Sequence, residues 1–284
     1  MSTDDFSPDD KAWGDPFEID TTVAHPARRY NYWLGGKDNF EADRRSGDAV
    51  IAAFPTVRTA AIEGRRFLRR LVTHLVEEAG IRQFLDIGTG IPSADNVHEV
   101  AQSIAPETRV VYVDNDPIVL AHARRLLAGS PSGATVYIQG DLRRPDMILQ
   151  NPQLRNVLDF SRPIALVLIQ VLHFLDDAQR PYDHVARLVG ALPPGSYLAM
   201  CHSTADFMPT GITRDMDTTV KEESARSRDP FVFRDRAAFA RFFEGLELIP
   251  PGIESISDWH YDGPPEERTS PVDTMSYGAV ARIR

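Results

Sequence analysis

The stretch FLDIGTGIPS, residues 84–93, decides how the rest of the chain is read. A short apolar run ends at Asp86, and Gly88-Thr89-Gly90 follows at once. Glycines at that place let the backbone turn sharply out of a strand and let a ligand approach the main chain. The spacing alone has two readings: a tight β–α turn, or the floor of a nucleotide-type cofactor site at the carboxyl end of a strand. The flanking sequence chooses between them.

Downstream, apolar runs alternate with helical patterns. RVVYVD (109–114), ATVYIQGD (134–141), PIALVLIQ (163–170) and SYLAMCHS (196–203) are separated by helix-patterned ADNVHEVAQSIA (94–105), PIVLAHARRLLAG (117–129) and 177–191. Such runs, broken by helices, describe βαβ units and a parallel sheet buried on both faces. Near the C-terminus FRDRAAFARFFEGL reads as a helix, and LELI and SYGAVARI as strands. The polar region 205–232 is expected to be an insertion or substrate lid.

Two acids extend the glycine signal. Asp114 ends the second apolar run, 24 residues after Gly90, where a carboxylate can accept hydrogen bonds from both hydroxyls of a ribose. Asp116, just before Pro117, reads as a helix N-cap. Asp141 follows the third run; it can accept from an adenine amino group, or serve as a turn or cap residue. A dinucleotide site favours a third glycine so that a pyrophosphate can rest on a helix N-terminus; here Pro92-Ser93 stand instead. The series Asp86, Asp114 and Asp141 suits a cofactor that carries a sulfonium and an ammonium and no phosphate. S-adenosylmethionine has that chemistry.

FLDIGTGIPS, VVYVDNDP, QGDLRRP and IALVLIQVLHFLDD, in that order, resemble the successive motifs of class I S-adenosylmethionine-dependent methyltransferases. With ARRYNYWLGGKDNFEADR ahead of them, the chain from Ala24 onward is similar to an actinobacterial S-adenosyl methyltransferase family catalogued as a domain of unknown function. The resemblance implies an α/β, Rossmann-like fold: a seven-stranded sheet, six strands parallel and the last antiparallel, with helices on both faces and extra N-terminal helices. It implies bound S-adenosylmethionine. By motif, Asp86, Gly88 and Gly90 go to the methionine end and its loop, Asp114 to the ribose, Asn115 beside the adenine, and Asp141 with the Leu142 backbone to the adenine. Gln170 would face the methyl-transfer centre. The resemblance names no acceptor.

Residues 24–57 are expected to close the other side of the site. Gly35-Gly36 interrupts a helical pattern and would let the backbone bend closely over a cofactor. Tyr32, Lys37 and Asn39 are the candidates for cofactor contact, with Tyr30 and Tyr32 excluding water; Trp33 and Phe40 read as core residues. From 58 to 79 the pattern is an amphipathic helix. Ile62, Phe67, Leu68, Leu71, Val72, Leu75 and Val76 recur at helical spacing, and Arg65, Arg66, Arg69 and Arg70 take the other face, read as solvated in preference to an anionic-substrate or partner site.

For catalysis, His173 lies three residues beyond Gln170 and is the candidate base for an acceptor that must lose a proton. The competing reading is a buried loop-orienting histidine. His202 is a second candidate, and Asp176 and Asp177 read as helix caps.

The chain has 284 residues and a net charge of −10, which disfavours a nucleic-acid substrate. Cys201 is the single cysteine, so neither an intrachain disulfide nor a multi-cysteine zinc site can form, and a reducing, cytoplasmic setting is expected. No metal is expected, since the histidines lack ligand spacing. No apolar run is long enough to span a membrane. Residues 1–23 are acidic and poor in apolar groups, and are expected to form a mobile tail; 24–284 form one domain. The expected function is a methyltransferase acting on a small-molecule acceptor. Two other readings stand beside it, a non-catalytic S-adenosylmethionine-binding module and a dinucleotide-dependent oxidoreductase.

Overall fold

The computed structural model describes residues 20–119, 121, 133–208, 218, 219, 222–226 and 230–284. Most of the expected acidic tail, most of the helix pattern at 117–129, and parts of 205–232 lie outside them. One sheet contains β1 (Gln83–Ile87), β2 (Arg109–Asp114), β3 (Thr135–Gln139), β4 (Ala165–Leu168), β5 (Tyr197–Ser203), β6 (Glu247–Leu248), β7 (Glu254–Ser255) and β8 (Ser276–Arg282). Its order is β3-β2-β1-β4-β5-β8-β6. The pairs among β1 to β5 are parallel, and β8 runs antiparallel to both β5 and β6. These seven strands have the expected arrangement. The two-residue β7, paired with β8 off that path, is an addition that no apolar run announced.

The sheet is buried on both faces because alternate side chains of each strand point opposite ways. Leu85, Ile87, Val111, Val113, Leu166 and Leu168 pack on one side with residues of α5 (Pro145–Leu149), α6 (Pro152–Val157) and α7 (Pro181–Val189). Phe84, Val110, Tyr112, Ala165 and Val167 pack on the other with α3 (Val57–Glu77) and α4 (Val97–Ile104). The short helices α8 (Arg236–Ala240) and α9 (Pro271–Thr274) lie nearer the C-terminus. The order reverses between β1 and β4, so the loops after these strands part and leave a crevice at their carboxyl ends.

Helix α3 corrects two details. Ile62, counted in the apolar stripe, is 44% exposed. Arg65 and Arg70 do not belong to a solvated face: Arg70 donates to the carbonyls of Ile256 and Trp259, and Arg65 reaches the loop before α4.

The N-terminal segment forms α1 (Pro26–Trp33) and α2 (Glu41–Ala53). Gly35-Gly36 is not a bend within a helix but the stop of α1. Gly35 adopts φ +80°, its N–H donates to Tyr32 O, and Gly36 N donates to Asn31 O, the paired bonds of a left-handed C-terminal cap. A Cβ on Gly36 would lie 2.2 Å from the Asn31 amide. At the start of α1, buried Asp43 accepts from His25 N and Phe40 N, tying α2 to α1.

Helix α1 is fastened to the sheet by one buried ion pair. Arg28 donates from Nε and Nη2 to the two oxygens of Asp116, at 3.0 and 3.2 Å, and the residues are 4% and 1% exposed. Asp116 also accepts from Ile118 N, the local bond expected of a cap, and lies 3.1 Å from His25 Nδ1. Removing one partner would leave a buried charge uncompensated. Asp116→Ala is therefore expected to lower stability by about 3–5 kcal/mol in urea denaturation; a loss below about 1 kcal/mol, typical of a surface pair, would contradict this placement.

Candidate functional site

A cavity of about 1900 Å³, including its open mouth, occupies the crevice. Nine of the residues singled out from sequence line it: Asp86, Gly88, Gly90, Asp114, Asn115, Asp141, Leu142, Gln170 and His173. They come from the ends of β1, β2, β3 and β4, as the topology requires.

The glycine loop is held by β2. Gly88 N donates to Val113 O, and Gly90 N donates to Asp114 Oδ2 at 2.8 Å. The other Asp114 oxygen accepts from Asp116 N. Both glycines have positive φ. A Cβ on Gly88 would come within 2.4 Å of Val171, so the loop is pressed against the segment after β4. A Cβ on Gly90 would meet only Ala27, at 4.0 Å, and would fill the space the loop leaves open. Burial pushes the Asp86 carboxyl up to about 7, against the opposing pull of Arg65 and a hydrogen bond from Thr89. Burial also raises Asp114, more than its two backbone hydrogen bonds lower it. At the β3 end, burial would raise Asp141, but side-chain and backbone bonds from Arg143 outweigh it and hold the carboxyl below its ordinary range.

The opposite wall is built by the N-terminal helices. Ala60, Ala61 and Gly64 make α3 thin where it crosses the crevice. Tyr30 therefore reaches across and donates to Ala61 O at 2.8 Å, and a Cβ on Gly64 would sit 3.1 Å from the Tyr30 hydroxyl and 3.2 Å from the Gln170 amide. Gln170 itself holds φ +57°, a left-handed conformation that a β-carbon disfavours, and its N–H donates to Cys201 Sγ. Arg65 spends one terminal nitrogen on the carbonyls of Ala94 and Asp95 and on Asn96 Oδ1. Its Nε is buried and has no hydrogen-bond partner among the described residues.

Beyond Gln170 the cavity changes character. His173 is buried, its Nδ1 3.4 Å from Ser203 Oγ, with its ring against Phe174 and Phe231. Burial, then the neighbouring His202 and Arg234, hold its pKa well below the usual histidine value, so the ring is neutral at physiological pH. His202 is not on the cavity wall. Its Nδ1 lies 2.8 Å from Ser203 O, which makes that nitrogen the donor and leaves Nε2 to accept from Arg234. Burial pushes it down to about 3. Arg234 also donates to Leu172 O, Leu175 O and Asp177, so this histidine braces the loop after β4 instead of meeting a substrate. Asp176 caps the short turn at Gln179, and Asp177 pairs with Arg234.

Three residues expected at the site are not brought to it. Tyr32 donates to Asp48 and lies under the Arg58 guanidinium. Asn39 donates to Asn31 and Gly36 O, ordering the turn after α1, and Lys37 is exposed. Tyr32 points from α1 toward Gly47 of α2, and Lys37 and Asn39 follow the cap at Gly35-Gly36 that ends the helix, so none of the three lines the cavity. The helix contributes His25, Ala27, Arg29, Tyr30 and Trp33 instead. Trp33, read as core, is on the cavity wall, whereas Phe40 packs beside Ile91 and Ile118. Arg65 was missed because its neighbours are arginines; its spacing of three from Leu68 and four from Ala61 placed it on the inward stripe.

A doubly wound sheet with an acidic cofactor crevice of this kind defines the class I methyltransferase fold. The family model for S-adenosyl methyltransferases matches residues 13–284. The chain belongs to that family and is an S-adenosylmethionine-dependent methyltransferase. It is 46% identical to a DUF574 family protein from Streptomyces avermitilis MA-4680, covering 94% of this chain and 100% of that one, with a TM-score of 0.88. It is 39% identical to a putative methyltransferase from Thermobifida fusca YX, covering 94% and 97%, with a TM-score of 0.82. At 12% identity, magnesium protoporphyrin IX methyltransferase from Synechocystis PCC 6803, solved with S-adenosylhomocysteine, shares the fold alone, with a TM-score of 0.52 over 90% of this chain. No curated protein matches the chain.

The residues fit the cofactor. The cradle at Gly90, the acceptor carboxylates of Asp86, Asp114 and Asp141, and the unpartnered Arg65 Nε match a ligand bearing hydroxyls, an ammonium and a carboxylate. A pyrophosphate fits poorly: α4 begins only at Val97, and the N–H of Asn96 before it is already taken by Glu99. With the cofactor's ammonium placed beside Asp86, cofactor affinity would depend on pH. A bound ammonium favours the carboxylate and lowers its pKa, so below about pH 7 binding must release a proton. Affinity for S-adenosylhomocysteine is expected to fall as pH drops through 7, by up to about tenfold per pH unit. Asp86→Asn should bind weakly at pH 8 and lose most of that dependence. Calorimetry from pH 5.5 to 8 checks this, and a flat wild-type profile would contradict it.

Proposed function

We propose that this enzyme transfers a methyl group to a small-molecule acceptor seated between Gln170 and the aromatic residues beyond it. The supporting observation is the single cavity that runs from Asp86 and Asp114, through Gln170, to His173. In this reading Asp114 holds the ribose diol, with Asn115 and the Asp141–Leu142 turn at the adenine. Asp86 takes the ammonium of the methionine end and Arg65 its carboxylate. S-adenosylmethionine supplies an electrophilic methyl on a positive sulfur, so the protein's task is chiefly alignment. Tyr30 and the thin face of α3 exclude water from the transfer region. Gln170, fixed by its strained backbone, orients the acceptor.

His173 receives the proton of a hydroxyl acceptor. Its depressed pKa does not forbid this, because a hydroxyl becomes far more acidic than an imidazolium as its oxygen gains a bond to carbon. The same depression keeps the ring unprotonated and ready across the neutral range.

The domain is read as one unit over 24–284, with 24–57 as the cofactor lid; of the region 205–232, read as an insertion or substrate lid, the described residues Thr219, Glu223 and Phe231 stand on the cavity wall. No described helix is long and apolar enough to cross a membrane. Buried Cys201, whose thiol burial pushes up to about 12, accords with a reducing, cytoplasmic setting. The net charge of −10 argues against a nucleic-acid acceptor.

Calorimetric titration with S-adenosylmethionine, S-adenosylhomocysteine and NAD tests the assignment of the site. Both sulfur ligands should bind the wild-type chain and His173→Ala alike, and Asp114→Ala about 10–100-fold more weakly, the worth of a hydrogen-bonded carboxylate. Binding of NAD in their place would overturn it.

A further inference from the structure

The acceptor end of the cavity differs in chemistry from the cofactor end. Phe174, Phe231 and Phe233 line it and are only partly buried, so ring surface is left open to the cavity. They form a continuous file with His173. Ring centroids lie 4.3 Å apart for His173–Phe174, 4.6 Å for His173–Phe231 and 5.2 Å for Phe231–Phe233. Trp33 and Phe54 supply further aromatic surface from the N-terminal helices. Two charged side chains on this wall are linked through Ser46: Arg29 Nη1 donates to Ser46 Oγ, which donates to Glu223, and Glu223 also pairs with Arg226. His173 carries no charge. The hydroxyl of Ser203 and the His173 ring are the polar pair beside the aromatic file.

We propose that the acceptor is a neutral aromatic compound with a hydroxyl on its ring, seated on the Phe174–His173–Phe231–Phe233 file with the hydroxyl at His173 and Ser203. The proposal rests on the methyltransferase reading and narrows it to a substrate class. Three aromatic edges and faces favour a π-system over a saturated ring of the same size. A phosphate or carboxylate on the acceptor would have to be desolvated against apolar walls and would break the Arg29–Ser46–Glu223 link to find a partner. Phosphorylated and strongly anionic acceptors are thereby disfavoured.

The test is calorimetry on the full chain saturated with S-adenosylhomocysteine, with three probes: naphthol, its saturated counterpart decahydronaphthol, and naphthyl phosphate. Naphthol should bind at least roughly tenfold more tightly than either of the others. Phe231→Leu, which keeps apolar volume and removes the ring, should cost naphthol about tenfold and leave decahydronaphthol and S-adenosylhomocysteine unchanged. Phe174→Leu gives a second reading should the first variant fold poorly. Equal affinity for the saturated ring, tighter binding of the phosphate, no binding of naphthol, or no effect of either substitution would each overturn the acceptor class while the cofactor reading stands. Failure of S-adenosylhomocysteine to bind would overturn both.

Discussion

The end of β2 carries two carboxylates, two residues apart, and the site depends on the division of labour between them. Asp114 turns to the glycine loop and fixes Gly90. Asp116 turns to α1 and fixes Arg28. The Asp116 N–H donates to Asp114, so the two tasks share one short piece of backbone. A buried ion pair is a costly way to gain stability, because both charges lose their water. What this one supplies is position. It sets His25, Ala27, Arg29 and Tyr30 against the crevice, and a sheet that would otherwise hold an open groove becomes a cavity with two walls.

The cavity then divides by electrostatics. Near β1, β2 and β3 it is acidic, and burial raises the pKa of Asp86 and Asp114, so a cation placed beside them would draw them toward their charged forms. Past Gln170 it is chiefly aromatic, with His173 neutral and Arg29 linked to Glu223 through Ser46. Gln170 stands at the border, held in a left-handed backbone conformation by its N–H bond to Cys201.

Much of this was legible before any coordinates. Continuous apolar runs such as RVVYVD and PIALVLIQ announce strands buried on both faces, and a residue that ends such a strand must appear at the sheet's carboxyl edge; that is why Asp86, Asp114 and Gln170 could be placed. What depended on contacts between distant elements was not legible. Asp116 looked like a cap, and nothing local in PARRYNYW says that Arg28 would seek it 88 residues away. The Gly35-Gly36 pair was read as a hinge over the cofactor because glycine permits both a bend and a stop; the capping bonds decide for the stop, which leaves Lys37 and Asn39 outside the cavity, while Tyr32 falls outside it because its side chain turns to Gly47 and Asp48 of α2. Arg65 was hidden in a run of arginines whose faces the helical period separates only once the partner of each is known.

The central claim is that the N-terminal helix, held by Arg28, completes the cofactor site. Arg28 does not line the cavity, so its effect on binding can act only through the placement of α1. Calorimetric titration of Arg28→Met with S-adenosylhomocysteine, in protein shown to be folded by circular dichroism, measures that dependence. The account predicts a loss of affinity of about tenfold or more, as expected when binding must also order a loosened wall. Wild-type affinity in the folded variant would contradict it.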